Sequence, residues 1–377
     1  FVEHMLFKGT PTRSAEEISR HIESIGASID GFTVEDHTAY QVKGPAERFE
    51  RLFDVLADLY RHPVLDPEEI ESEKAVIREE IAMVRDQPSQ YLEDLISEAI
   101  WGPGHPLGRS ITGTEESLDA FKRADVADFH RRAYCGCNTV ISVAGNIEHD
   151  AVLEIVSKRV ADMAKGEPIP YLPGGISPDR HRFHEESGQE QSHLALSFRN
   201  VDRYDKTRFA HKLLNVILGE NMSSRLFQTI REQKGLCYEV QSDMASFSDA
   251  GLLQIYLALS PKNLKEALYG ISDILNDLRE NGVSDQELEE SKAYIIGQNR
   301  ISLENTSAQM MWAGETLLFF DDWIDPEDSH RRVEEVTSAD IRSAARIAFD
   351  LDTLCSALIG PGTSHKVLTE WISACST

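Results

Sequence analysis

Apolar residues recur along the chain with two different periods. Ile18, Ile22 and Ile25 stand at helical spacing within residues 14–25 and Gly26 follows as a stop, so the spacing predicts a helix ending there. From 27 to 43 the pattern turns β-prone, with Phe32, Thr33, Val34, Thr38, Tyr40 and Val42 interrupted at Glu35-Asp36-His37. This predicts a hairpin. After Gly44-Pro45, residues Phe49, Leu52, Phe53, Leu56, Leu59 and Tyr60 share one helical face, and Asp66-Pro67-Glu68-Glu69 opens a further helix with acids in its first turn. A Gly- and Pro-rich loop at 102–113, an apolar strand at 138–144 and a helix at 150–164 complete this half.

Residues 165–181 hold four prolines and three glycines with almost no periodic pattern, the mark of a linker. The expected division is therefore 1–164, linker 165–181, and 182–377. In the second part, strands are predicted at 194–198, 236–240, 252–259 and 354–359. Helices are predicted at 206–218, on to about 232, at 261–279 and from 284.

Composition narrows the function classes. A chain of 377 residues, 41% apolar, can bury two full cores. Its 64 acidic against 38 basic residues give a net charge of −26, which argues against nucleic acid or an anionic membrane surface as partner. No apolar run approaches the roughly 18 residues of a membrane-spanning helix, so a soluble protein is expected. The five scattered cysteines fit a reducing compartment better than a disulfide framework, and Cys135-Gly136-Cys137 is too close for a zinc-ribbon pair and reads as a loop before a strand.

The two parts follow one plan. Helix, Gly, hairpin, Gly-Pro and amphipathic helix lead to the stretch opening at Leu65 in the first, and to the matching stretch opening at Val283 in the second, an offset of 218. The chain is thus expected to be α+β: two homologous domains related by internal duplication, each a mainly antiparallel sheet covered by helices. Under the offset, Glu3 falls on Asn221, His4 on Met222, Glu73 on Ser291 and Glu80 on Gln298. A scaffold would need these residues in both copies, so their loss from the second favours chemistry in the first. Glu73 and Glu80, two helical turns apart, can point at one site, and with His4 they offer the N and O donors that zinc takes.

Phe1-Val2-Glu3-His4-Met5-Leu6-Phe7-Lys8-Gly9-Thr10 resembles the inverted zinc motif of the pitrilysin and insulinase family, with its first His immediately before Phe1. The frame Glu73-Lys74-Ala75-Val76-Ile77-Arg78-Glu79-Glu80 is similar to the family's distal-ligand helix. Arg231 and Tyr238 resemble its peptide-contacting pair. The likeness is strongest to the short subfamily of mitochondrial processing peptidase and its bacterial relatives. It implies Zn2+ held by the missing His, His4 and Glu80, with Glu3 as general base, Glu73 orienting a ligand, and an extended peptide substrate added along Asp30-Gly31-Phe32-Thr33. The usual Asn-Ala of that strand stands here as Asp30-Gly31. The resemblance further implies a clamshell homodimer in which Arg231 and Tyr238 reach the zinc site of the other subunit. By the repeat, Phe1 matches Gly219, so the first domain is expected to lack counterparts of 182–218 and the chain to be the later part of a longer zinc endopeptidase. The alternative is a catalytically silent relative, like the core subunits of the respiratory cytochrome complex, kept for assembly.

Overall fold

The computed structural model describes residues 1–175, 177–186 and 190–375. By compactness the chain forms two units: Phe1–Met83 with Ile111–Tyr171 and Ser302–Ile324, and Val84–Ser110 with Leu172–Ile301 and Asp325–Thr377. Each unit is discontinuous in sequence. The break between Tyr171 and Leu172 falls inside the stretch read as a linker, whose residue 176 lies outside the described residues.

In the first unit, helix α1 (Val2–Leu6) leads into the short pair β1 (Gly9–Thr10) and β2 (Arg13–Ser14). Helix α2 (Ala15–Glu23) starts at a reciprocal cap in which Ser14 Oγ accepts from the Glu17 amide while Glu17 accepts from that of Ser14. It stops before Gly26, whose φ of +71° suits glycine. The hairpin is β3 (Ser28–Thr33) and β4 (Thr38–Lys43), antiparallel, with Gly31 opposite Tyr40 and Thr33 opposite Thr38. Helices α3 (Phe49–Arg61) and α4 (Pro67–Asp86) follow. Leu6 packs with Ile18, Ile22, Leu52, Val55 and Leu59, whereas Met5 packs with Leu65, Ile70 and Val126. One short helix is thereby pinned between two apolar clusters.

The second unit holds a five-stranded sheet in the order β5-β9-β6-β8-β7: β5 (His181–Glu185), β6 (Ser192–Asn200), β7 (Cys237–Ser246), β8 (Gly251–Leu259) and β9 (Cys355–Gly360). All neighbours are antiparallel except β5 with β9. Alternation sorts the side chains: Leu194, Leu196 and Phe198 join the large core with Leu253, Ile255 and Leu257. On the other face, Ala195, Tyr256, Ala258, Ala357 and Ile359 meet Leu92, Ile96, Ala99 and Ile100 of helix α5 (Pro88–Trp101).

Three expectations shift. Residues 138–144, read as a strand, have no ladder partner among the described residues, and Asn138 ends the short helical turn Gly136–Asn138, although their repeat counterpart β9 is paired on both sides. A strand exists only with a neighbour to complete its hydrogen bonds. The helix expected at 206–218 is α-helical over Arg208–Asn215 and then widens to a π-helical turn at Val216–Glu220, where Gly219 lies against Ser242. A second π-helical stretch occupies Phe227–Gln233.

Candidate active site

Burial decides which faces of α1 and α4 are free to act. Met5 and Leu6 take the buried side of α1, leaving Glu3 and His4 toward the half-open side. In α4, Ile70, Glu73, Ile77 and Ile81 fall on one helical stripe. Glu73 is therefore carried into the packed region, where it is only 3% exposed. Glu80 stands two turns further on, with its side chain 37% exposed.

A buried carboxylate is costly unless its oxygens are paired. Glu73 Oε1 lies 2.8 Å from His4 Nδ1, and its other oxygen pairs with the Lys8 ammonium. Burial alone pushes the Glu73 carboxyl up, but the hydrogen bonds and charges of Lys8 and His4 outweigh it and hold the group below its ordinary value. An ionised Glu73 only accepts, so His4 donates to it from Nδ1. The ring's Nε2 faces Glu80 Oε1 at 3.8 Å. His4 and Glu80 thus bring a ring nitrogen and a carboxylate oxygen toward one another. Two donors about 2.0–2.2 Å from one tetrahedral zinc lie roughly 3.3–3.6 Å apart, a spacing that a small rotation of the partly exposed Glu80 side chain reaches from 3.8 Å. Among the described residues no three His, Cys, Asp or Glu side chains form a metal-holding group. The described residues thus bring His4 and Glu80 together, with Glu73 bonded to His4.

Glu3 is held separately. Thr33 Oγ1, at the end of β3, donates to Glu3 Oε2 at 2.9 Å. The strand backbone is close enough that a Cβ on Gly31 would stand 3.3 Å from Glu3 Cγ and 3.1 Å from the Phe7 ring. Asp30 folds back to accept from the Gly31 amide at 2.9 Å, and Phe32 meets the His37 ring edge-on at 5.8 Å. Asp30, Gly31, Phe32 and Thr33 therefore run beside the Glu3 carboxylate. Behind the hairpin, the Tyr40 and Tyr134 hydroxyls lie 2.7 Å apart. Burial pushes Tyr134 up to about 12 and Tyr40 higher still, so both phenols stay protonated and serve as a wall.

Arg231 and Tyr238 lie in the other compact unit and are brought to each other. The Arg231 guanidinium sits 5.8 Å from the Tyr238 ring centroid and 4.6 Å from that of Phe227. Tyr238 is 75% exposed. Arg225, by contrast, is consumed by the scaffold: it forks onto Glu287 through two 2.8 Å bonds and reaches Asp277 and the Gly282 carbonyl.

Adjacent positions of α4 fare differently in the repeat. Lys74 Nζ bonds Glu71 and the Phe121 carbonyl, each at 2.9 Å. Its counterpart Lys292 bonds Glu289 at 2.9 Å and the Glu334 carbonyl at 3.0 Å. The neighbouring Glu73 has instead become Ser291, whose hydroxyl merely donates to the Glu287 carbonyl of its own helix. Sequence reading missed Lys8 and Phe7. Lys8 lies in the turn after α1, where no helical spacing ties it to His4.

The family model described as Insulinase (Peptidase family M16) matches residues 1–115, and that of the Peptidase M16 inactive domain matches residues 120–295. The chain is 35% identical over 338 residues to the uncharacterized zinc protease YmxG of Bacillus subtilis, covering 89% of this chain and 80% of that protein. It is 30% identical to the uncharacterized zinc protease Rv2782c of Mycobacterium tuberculosis, covering 99% of this chain and 86% of the relative. A solved structure of a peptidase M16 inactive domain from Pseudomonas fluorescens superposes with a TM-score of 0.88 at 21% identity, covering 96% of this chain and 87% of that one. For a protease from Helicobacter pylori the TM-score is 0.87 at 19% identity, covering 96% and 88%.

Proposed function

The chain belongs to the insulinase family, peptidase family M16, and on that premise we propose that it is a zinc-dependent endopeptidase hydrolysing extended peptides or presequences. The observation that carries this reading is the relay from buried Glu73 through His4 to Glu80, set beside Glu3 and the strand Asp30–Thr33. His4 and Glu80 would hold the zinc together with a His directly preceding Phe1. Zinc there supplies a Lewis acid that polarises the scissile carbonyl and lowers the pKa of a water.

The chain's own residues do the rest. Glu73 fixes the His4 tautomer, so that Nε2 and not Nδ1 is presented. Glu3, steadied by Thr33, takes the proton of the attacking water and passes it to the leaving amide nitrogen. Strand β3 is paired with β4 along one edge, and an extended peptide adding to its other edge would bring its carbonyl past Glu3. Arg231 and Tyr238 form a cation and ring platform for substrate, which we assign to the partner subunit of a homodimer.

The test uses protein beginning upstream of Phe1. Hydrolysis of an unstructured peptide should vanish after zinc is stripped by a chelator and return when about one zinc per chain is restored. Hydrolysis indifferent to zinc removal contradicts the proposal, and tight zinc binding without hydrolysis of any peptide shifts it to the assembly reading.

A further inference from the structure

Cys135 and Cys137 take no part in the site described. Cys135 is buried and Cys137 exposed, both are free thiols, and their sulfurs lie 3.6 Å apart across Gly136. The loop that carries them is tied to the chain just before the break between the two compact units. The Gly136 and Cys137 amides donate to the carbonyls of Ala164 and Lys165, each at 2.8 Å, and Asn138 Nδ2 donates to the Glu167 carbonyl at 3.3 Å. Gly166, at φ +69°, lies directly on Cys135: a Cβ there would stand 2.2 Å from the Cys135 sulfur. The buried sulfur is thus part of the bed on which 164–167 rests.

We propose that Cys135 and Cys137 are a reversible dithiol–disulfide pair, oxidised by low-molecular-weight disulfides, whose closure resets the segment 164–167. The exposed Cys137 thiolate attacks a disulfide RSSR, forming a Cys137–SR mixed disulfide and releasing RS−. The Cys135 thiolate, 3.6 Å away, then attacks the Cys137 sulfur and expels the second RS−. Two protein thiols and one RSSR yield one protein disulfide and two RSH, with the two thiol protons passing to the released thiolates. Closing the bond draws the sulfurs to about 2.05 Å. The movement falls on a loop whose Cys135 sulfur lies against Gly166 and whose Gly136 and Cys137 amides bond the Ala164 and Lys165 carbonyls, so closure loosens the hold on 164–167. Burial pushes Cys237 and Cys355 up to about 11 and raises Cys375; desolvation and the neighbouring Cys135 raise Cys137 as well, so it is the 3.6 Å approach of the two sulfurs that distinguishes the pair.

Reduced protein is incubated with oxidised glutathione, quenched and digested, and the peptide holding both cysteines is weighed. The wild-type peptide should lose two hydrogens and carry no adduct, while Cys135→Ser should accumulate glutathione on Cys137. A stable adduct on the wild-type Cys137, or two thiols left free under conditions that load glutathione onto Cys135→Ser, overturns the pair. Amide exchange gives the second readout: Gly136 and Cys137 should lose protection on oxidation and regain it on reduction. Unchanged protection in fully oxidised protein overturns the conformational half of the proposal.

Discussion

Glu73 shows why one residue can be both buried and charged without weakening the fold around it. Its two oxygens are paired with His4 and Lys8, and that hydrogen bond and ion pair offset the cost of its burial. Glu73→Gln keeps the shape but can no longer accept as an anion. It is therefore expected to weaken zinc binding roughly 10–100-fold, as loss of a carboxylate behind a ligating His does. Competition with a calibrated chelator measures this, and unchanged affinity would remove Glu73 from the site. The spacing of Glu73 and Glu80 was legible in the sequence because a helix converts seven residues into two turns. Lys8 was not, because a flexible side chain chooses its partner only once α1 and α4 are packed. The replacement of Asn-Ala by Asp30-Gly31 also becomes intelligible in three dimensions, where Phe7 and Glu3 occupy the space around position 31.

Among the elements, α2 and α3 could be read from periodicity because each has one buried face, whereas the hairpin was read from its β-prone residues and α4 from the acids of its first turn. What sequence did not show is how the chain between α1 and α2 is fastened. Asp58 on α3 accepts from Thr10 Oγ1 at 2.7 Å and Thr12 Oγ1 at 2.8 Å and pairs with Arg13, clamping β1 and β2. Burial alone would raise the Asp58 carboxyl, but these hydrogen bonds and the Arg13 charge hold it below its ordinary value. A depressed carboxyl contributes stability that is full above its unfolded value, about 3.9, and is lost as pH falls through the folded one. Asp58→Asn should cost about 1–3 kcal/mol near neutrality, and its deficit against the parent should shrink in acid. Chemical denaturation at several pH values reads this, and a deficit that grows in acid would contradict it. The segment 138–144 was misread for the complementary reason: apolar content predicts burial, whereas a strand also needs a partner.

At the scale of the whole molecule, the duplication was legible from sequence, and the repeat keeps the bonding of Lys74 in Lys292 while Glu73 gives way to Ser291. The discontinuous make-up of the compact units was not legible, since it depends on which sheet face a helix such as α5 covers. The proposed homodimer makes a definite prediction. Inactive Glu3→Gln and inactive Arg231→Ala/Tyr238→Ala proteins, mixed under conditions of proven subunit exchange, should recover activity in the heterodimer, where one composite site is intact. No recovery would place the Arg and Tyr pair within its own chain's site or outside function. The central claim is that Glu3 moves the proton while His4 and Glu80 hold the metal. Turnover per bound zinc in Glu3→Gln protein that begins upstream of Phe1 tests it most directly. The account predicts zinc per chain equal to the parent's, with turnover lower by a factor of roughly 10²–10⁴. Retained turnover, or a loss of activity that merely follows a loss of zinc, would contradict it.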